Sequence, residues 1–330
     1  MKLEPGQLAS LAVELGARVE LEQKRDIQVA ASAFGRKTRT SWLAEDTEII
    51  NGDDAAAIRA PDGTYTLIAA EGMQSEFIAA DPWFAGYSAL MVNVSDIAAM
   101  GGRPWAVVDV LFLGSGQNER VLDGLRAAST TFGVPIVGGH TGRAGGPTSL
   151  AVAIVGQAKS LIESHTAQPG QLLLAAIDLR GSFRGRSAFN AATTLAPERL
   201  RAQLALLPEL AEAGLVRAGK DISNAGVCGT LAMLLEASSC GAWLDLALVP
   251  APERVDPLRW LTAFPSFGFL LTVEPDRAAS VSERFEALGV KCRAVGEITD
   301  IPRLELRHGH ERALFGAGCR VPLTGFGACA

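Results

Sequence analysis

Between Trp83 and Met100 the chain carries one charged side chain, Asp96. Residues 84–100 are long enough for a helix, are otherwise apolar or small, and run into Gly101-Gly102-Arg103-Pro104, the usual chemistry of a helix end. Such a helix must be packed nearly all round. A carboxylate inside it is costly unless it is hydrogen-bonded, paired or bound to a cation. Asn93 lies one turn earlier on the same face. A structural, hydrogen-bonded aspartate is the alternative, but the setting favours a functional one.

Around this helix the pattern alternates between short apolar runs and helical stretches. Residues 3–34 read as short helices and 36–50 as polar loop. Strands are expected near 55, 65–70, 106–113, 135–137 (buried) and 150–155, with a helix over 119–131. The polar stretch 160–171 contains Pro169-Gly170 and reads as a link. Beyond it, strands are expected at 172–176, 268–273 and 293–296, and helices at 208–218, 229–239 and 276–288. An α/β (α+β) chain in two halves, 1–160 and 161–330, fits this order and the length of 330 residues.

An apolar share of 48% supports packed cores. With net charge −6 and no basic stripe, nucleic acid is not an expected partner. No apolar run reaches bilayer length, and residues 1–20 carry no signal-like run, so the expected location is the cytoplasm and no membrane partner is expected. Cys228, Cys240, Cys292, Cys319 and Cys329 are scattered without a CxxC pair, which points to free thiols.

Three further clusters carry chemistry. In Asn51-Gly52-Asp53-Asp54-Ala55-Ala56, adjacent carboxylates offer hard oxygens to a cation such as Mg²⁺; alone, it is equally a solvated turn. Gly138-Gly139-His140-Thr141 reads as a glycine-rich turn able to present N–H groups to phosphate, or simply as a loop. Lys220-Asp221-Ile222-Ser223-Asn224 precedes a helix and suits metal or phosphate, or an ordinary N-cap. No phosphate-binding Walker loop, Ser/His/Asp triad or zinc motif is present.

The order and spacing of these clusters resemble the superfamily of AIR (aminoimidazole ribonucleotide) synthase, thiamine-monophosphate kinase, selenophosphate synthetase and the hydrogenase-maturation dehydratase. Gly52–Ala56 resembles the GDDAA turn of the kinases. Asn93–Gly101 resembles their NLSD(I/L)AAMG helix with one conservative change. Gly138–Thr141 is similar to GGDT or GGHT, and Lys220–Gly229 to the DVTGFGLLGH element of selenophosphate synthetases. The likeness spans about 50–240 and is nearest the unassigned AIR synthase-related branch.

The resemblance implies a two-domain AIR synthase-like fold whose N-terminal domain pairs into a barrel-like homodimer interface. It implies ATP with Mg²⁺ held by Asp53, Asp54, Asp96 and Asp221, of which Asp96 and Asp221 would be catalytic. Nucleotide would be met by Asn93, Glu71 and Gly138, Gly139, His140 and Thr141. The expected activity is phosphoryl transfer to, or activation of, a small oxygen-containing or amide-like metabolite. A non-catalytic ATP-binding partner protein and a thiamine-monophosphate-kinase-like enzyme are the alternatives. The acceptor, and the choice among kinase, ligase and dehydratase, stay open.

Departures bear on this. Glu71 stands where the family has Asp, and His140 where the kinases have Asp. The Cys/Lys pair of selenophosphate synthetases and the kinase DVSDGL element are missing. Arg180, Arg184 and Arg186 read as a solvated basic loop or an anion site. Cys329 reads as an inert thiol more readily than as a carrier, His308 and His310 as surface residues, and Trp105 and Trp260 as core or interface aromatics.

Overall fold

A computed structural model describes residues 1–40, 47–185, 187–266, 268–316 and 322–327. The chain opens with α1 (Gln7–Gly16), α2 (Val19–Arg25) and α3 (Ile27–Phe34), in the stretch expected to be helical. In α1, Leu8, Leu11, Ala12 and Leu15 form one buried stripe. That stripe packs into the core of the far end of the chain, and the Glu311 carboxylate accepts the N–H groups of Gly6 (2.7 Å) and Leu8 (3.4 Å) at the helix start.

The stretch expected to be loop at 36–50 is instead a hairpin, β1 (Lys37–Thr40) with β2 (Thr47–Ile50), residues 41–46 lying outside the described set. Its alternating threonines suit strands, and the Lys37–Glu48 ion pair (2.8 Å) crosses it.

The first sheet has the order β3-β4-β7-β5-β6, where β3 is Ala56–Arg59, β4 Tyr65–Met73, β5 Arg103–Ser115, β6 Ile136–Pro147 and β7 Ser149–Ala158. All pairs are antiparallel except β5 with β6. One face carries α4 (Ser75–Ala80), α5 (Pro82–Ala99) and α6 (Asn118–Phe132). Asp81 caps α5 by accepting from the Phe84 N–H at 3.3 Å, and Pro82 opens the first turn. Helices α5 and α6 touch at glycines: a Cβ on Gly86 would meet Val121 O at 2.0 Å, and one on Gly124 would meet Trp83 O at 1.9 Å.

Two expectations are corrected here. Residues 135–137 are not a buried strand, because β6 is an exposed edge on which Val137 is 64% accessible. Gly138–Thr141 is not a turn: it runs within β6, in register with Val108–Leu111 of β5.

The second sheet has the order β11-β13-β8-β14-β12-β15-β16. In chain order its half contains β8 (Leu172–Ile177), the hairpin β9 (Ser182–Arg184) and β10 (Ala188–Asn190), α7 (Pro197–Glu212), β11 (Ala218–Asp221), α8 (Gly226–Ser238), β12 (Gly241–Asp245), α9 (Pro257–Leu261), β13 (Gly268–Val273), α10 (Ala278–Ala287), β14 (Lys291–Thr299), β15 (Leu304–His308) and β16 (Glu311–Leu314). Strand β8 is apolar on both faces, and both are covered: Leu173, Ala175 and Ile177 belong to the core with α8, and Leu174 and Ala176 to the core with α7 and α10. The helix expected at 208–218 begins at Pro197, carries Pro208 near its end and stops at Glu212, and 218–221 is strand. Trp260 is fully buried and donates to Pro250 O at 2.9 Å, whereas Trp105 is 50% accessible. Among the described residues no helix is long and apolar enough to cross a membrane.

Candidate active site

Helix α5, walled in on nearly every side, brings Asp96 to the floor of a cleft of about 670 Å³. The turn before β3 brings Asp54, and the end of β11 brings Asp221. Carboxylate oxygens of Asp54, Asp96 and Asp221 all lie within 4.8 Å of one another. The Asp221 N–H donates to Asp54 Oδ2 at 3.2 Å, which ties the two halves of the chain together at this point. Asp96 is 7% accessible and its Oδ2 has no hydrogen-bond partner.

The electrostatics follow from crowding acids in a dry place. Burial, then the charges of Asp221, Glu71 and Asp54, lifts the Asp96 carboxyl well above the usual range. Burial and then Asp54 push Asp221 up to about 7. Asp54 is raised by burial, against the opposing pull of Lys220. For Asp53 burial also pushes up, but Lys220, His165 and the N–H groups of Ser164 and Asp54 together outweigh it and hold the group low. Burial also lowers Lys24 and raises Glu71.

The other sequence-selected residues lie as follows. Asp53 stands outside the three-carboxylate group, with Oδ2 accepting from Ser164 N–H (2.8 Å) and Oδ1 from Asp54 N–H (2.9 Å). Glu71, at the end of β4, lines the cleft and is open to solvent within that concavity. Asn93 is sealed inside: its amide donates to Ala89 O (2.8 Å) and Val152 O (3.1 Å), fastening α5 to β7. Gly138, Gly139, His140 and Thr141 sit on the outer edge strand, away from the cleft lining, with the His140 ring 5.8 Å from Phe112. Arg180 is paired with Asp178, and Arg184 is paired with Asp81 and stacks on Phe84 at the cleft wall. Arg186, Cys319 and Cys329 lie outside the described residues, Cys228 and Cys292 are buried free thiols, and Cys240 is buried.

Two residues assigned no role from sequence enter the site. Lys220 is buried against Asp54 (2.5 Å) and Asp53 (3.6 Å). Lys24 of α2 lines the cleft and donates to Ser223 Oγ at 3.2 Å. For Lys220 the one signal was its place beside Asp221 in a cluster already selected; for Lys24 the sequence held none. The acidic turn is also backed by the chain's far end. Gly52 has φ +99°, and a Cβ there would meet Phe326 Cβ at 2.4 Å, while Glu236 accepts the N–H groups of Leu323, Thr324 and Gly325 (3.2, 2.8 and 2.9 Å).

Fold and site together define a two-domain AIR synthase-like protein, and the comparisons agree. The family described as AIR synthase related protein matches with its N-terminal domain at 52–158 and its C-terminal domain at 168–309. The chain belongs to that family. It is 44% identical to the uncharacterized protein sll0787 of Synechocystis, over 97% of this chain and 98% of that one. It is 30% identical to the thiamine-monophosphate kinase of Synechococcus elongatus, over 78% of this chain and 86% of the kinase. The structure of T. maritima PurL complexed with ATP superposes with a TM-score of 0.71 at 19% identity, covering 94% of this chain; this chain spans 52% of PurL, and the likeness is one of fold.

Proposed function

We propose that the protein is an enzyme that uses Mg-ATP to phosphorylate, or activate by phosphorylation, a small oxygen-containing or amide-like metabolite. The observation that carries this is the convergence of Asp54, Asp96 and Asp221, with Asp96 Oδ2 unpartnered and with Asp96 and Asp221 lining the cleft. An all-oxygen, anionic donor set suits a hard cation such as Mg²⁺, and a buried acceptor without a donor is what such an ion would satisfy. Asp54, Asp96 and Asp221 would hold the ion, with Glu71 beside them. When bound, Mg²⁺ neutralises phosphate charge during transfer. The chain's own part is to fix these carboxylates on a helix, a strand end and a braced turn, and to present Lys24 to the same cleft. That family relatives include a kinase, and that PurL was solved with ATP, supports the nucleotide.

The deciding experiment is a turnover screen with ATP and Mg²⁺ over small hydroxyl, carboxylate and amide acceptors, scoring release of ADP or AMP. Binding of ATP with no turnover on any acceptor would favour a non-catalytic ATP-binding protein instead. Binding itself is expected to need the metal, since an acidic cleft repels triphosphate. At about a hundredfold excess over Kd, Mg-ATP should stabilise the fold by roughly 2.7 kcal/mol. An equal melting shift with ATP and EDTA would remove the metal from the proposal.

We also propose a homodimer through the first sheet. Its helix-free face exposes Ile68, Val108, Val110 and Phe112, each 38–44% accessible, where a solvated sheet would carry polar side chains. Gly138–Thr141 borders this face, so nucleotide contact there would come at the edge between two copies. Light scattering should give twice the chain mass of 34.6 kDa for the wild type, and the monomer mass for Val110→Asp. A monomeric wild type at all concentrations overturns the dimer.

A further inference from the structure

Strand β11 is buried along its length and hydrogen-bonded to the apolar β13, yet it carries Lys220 and Asp221 side by side. Successive strand residues point to opposite faces. Asp221 lines the cleft, and Lys220 does not: its side chain is 5% accessible and ends between the two carboxylates of the acidic turn, 2.5 Å from Asp54 Oδ1 and 3.6 Å from Asp53 Oδ1. Asp53 is otherwise filled by protein donors, namely the N–H groups of Ser164 and Asp54, with His165 Nδ1 3.7 Å from Oδ2. Adjacent buried carboxylates need positive charge between them. Here the Lys220 ammonium stands in that place.

We infer that Lys220 is a built-in cation: its ammonium occupies the position between Asp53 and Asp54 that a divalent ion would otherwise take, and so confines the exchangeable metal to Asp54, Asp96 and Asp221. It is a positioning residue, acting through Asp54 rather than on substrate. An ammonium has one charge and a fixed tether, so it holds Asp54 in place while leaving the shared cleft negative enough to attract Mg²⁺. Asp53 accordingly serves the lysine and not the metal. The inference rests on the metal-binding reading proposed above.

The test is Mn²⁺ uptake by electron paramagnetic resonance, with melting midpoints in EDTA and in Mn²⁺, for the wild type, Lys220→Ala and the double variant Asp53→Asn/Lys220→Ala. The alanine opens polar space that a hydrated ion can enter. Lys220→Ala is expected to take up one more Mn²⁺ per chain than the wild type. Its midpoint in EDTA should fall by roughly 10 °C and recover with Mn²⁺. If the variant is unfolded in EDTA, folding on addition of Mn²⁺ is the same result. In the double variant the extra uptake should vanish, because the pair that demanded charge has lost one member. Equal Mn²⁺ uptake by the wild type and Lys220→Ala, or a stability loss that Mn²⁺ does not restore, overturns the inference and leaves the metal site standing. A wild type that takes up no Mn²⁺ overturns both.

Discussion

Asp96→Asn is expected to lower ATP turnover by about 10²-fold or more while leaving the protein folded. The replacement is nearly isosteric and removes one negative charge from the floor of the cleft. In the absence of metal the variant should melt higher than the wild type, because Asp96 is buried among Asp54, Asp221 and Glu71 and its charge is opposed by all three. With Mg-ATP the order should reverse, since the wild type gains more from the ion. Those paired shifts separate a metal ligand from a structural hydrogen-bond partner, for which Asn would keep an acceptor and activity would survive. Full activity with a lowered midpoint would make Asp96 scaffolding and remove the centre of the proposed site.

The metal-free protein should become less stable as pH rises from about 4 to 7. Asp221 titrates at about 7 in the folded chain against an ordinary value of 3.8, so over that window the folded state holds a proton that the unfolded state has released. Stability then falls with rising pH. The contribution is complete below the unfolded value and is lost through the folded one; roughly 3 pH units correspond to at most about 4 kcal/mol. The raised Asp54 and Asp96 act in the same direction, and the lowered Asp53 acts oppositely, losing its contribution as pH falls. Melting in EDTA at pH 5 and pH 7.5 gives the sign directly, with Asp221→Asn expected to flatten the slope. Mg²⁺ should reverse it, because the ion binds the deprotonated carboxylates. A wild-type midpoint in EDTA that climbs toward pH 7.5, unaltered in Asp221→Asn, would show that the cluster is not under strain.

What could be read from the sequence was what one residue's surroundings dictate. A lone carboxylate in an apolar stretch foretold the buried α5 and singled out Asp96, which lies with Asp54 and Asp221, and the paired aspartates after Gly52 foretold an oxygen-rich turn. What could not be read depended on partners far along the chain. Asp53 and Asp54 look alike in sequence; Lys220 and the linker's Ser164 and His165 distinguish them in space. Gly138–Thr141 has turn-like composition, yet pairing with β5 stretches it into strand. The hairpin at 37–50 is polar on most positions and gave no apolar alternation to count. Lys24 belongs to an unremarkable polar helix, and only the packing of α1 and α2 on the later half delivers it to the cleft.

The Glu311 carboxylate that receives the first N–H groups of α1 stands 305 residues downstream of Gly6. During synthesis at roughly 5–20 residues per second, that helix leaves the ribosome about 15 to 60 s before its cap and its packing surface exist. Its stripe of Leu8, Leu11 and Leu15 must wait, exposed, through the making of both sheets. That helix is thus made early and docks late, whereas α2 with Lys24 can dock as soon as Ser223 and Asn224 have been made.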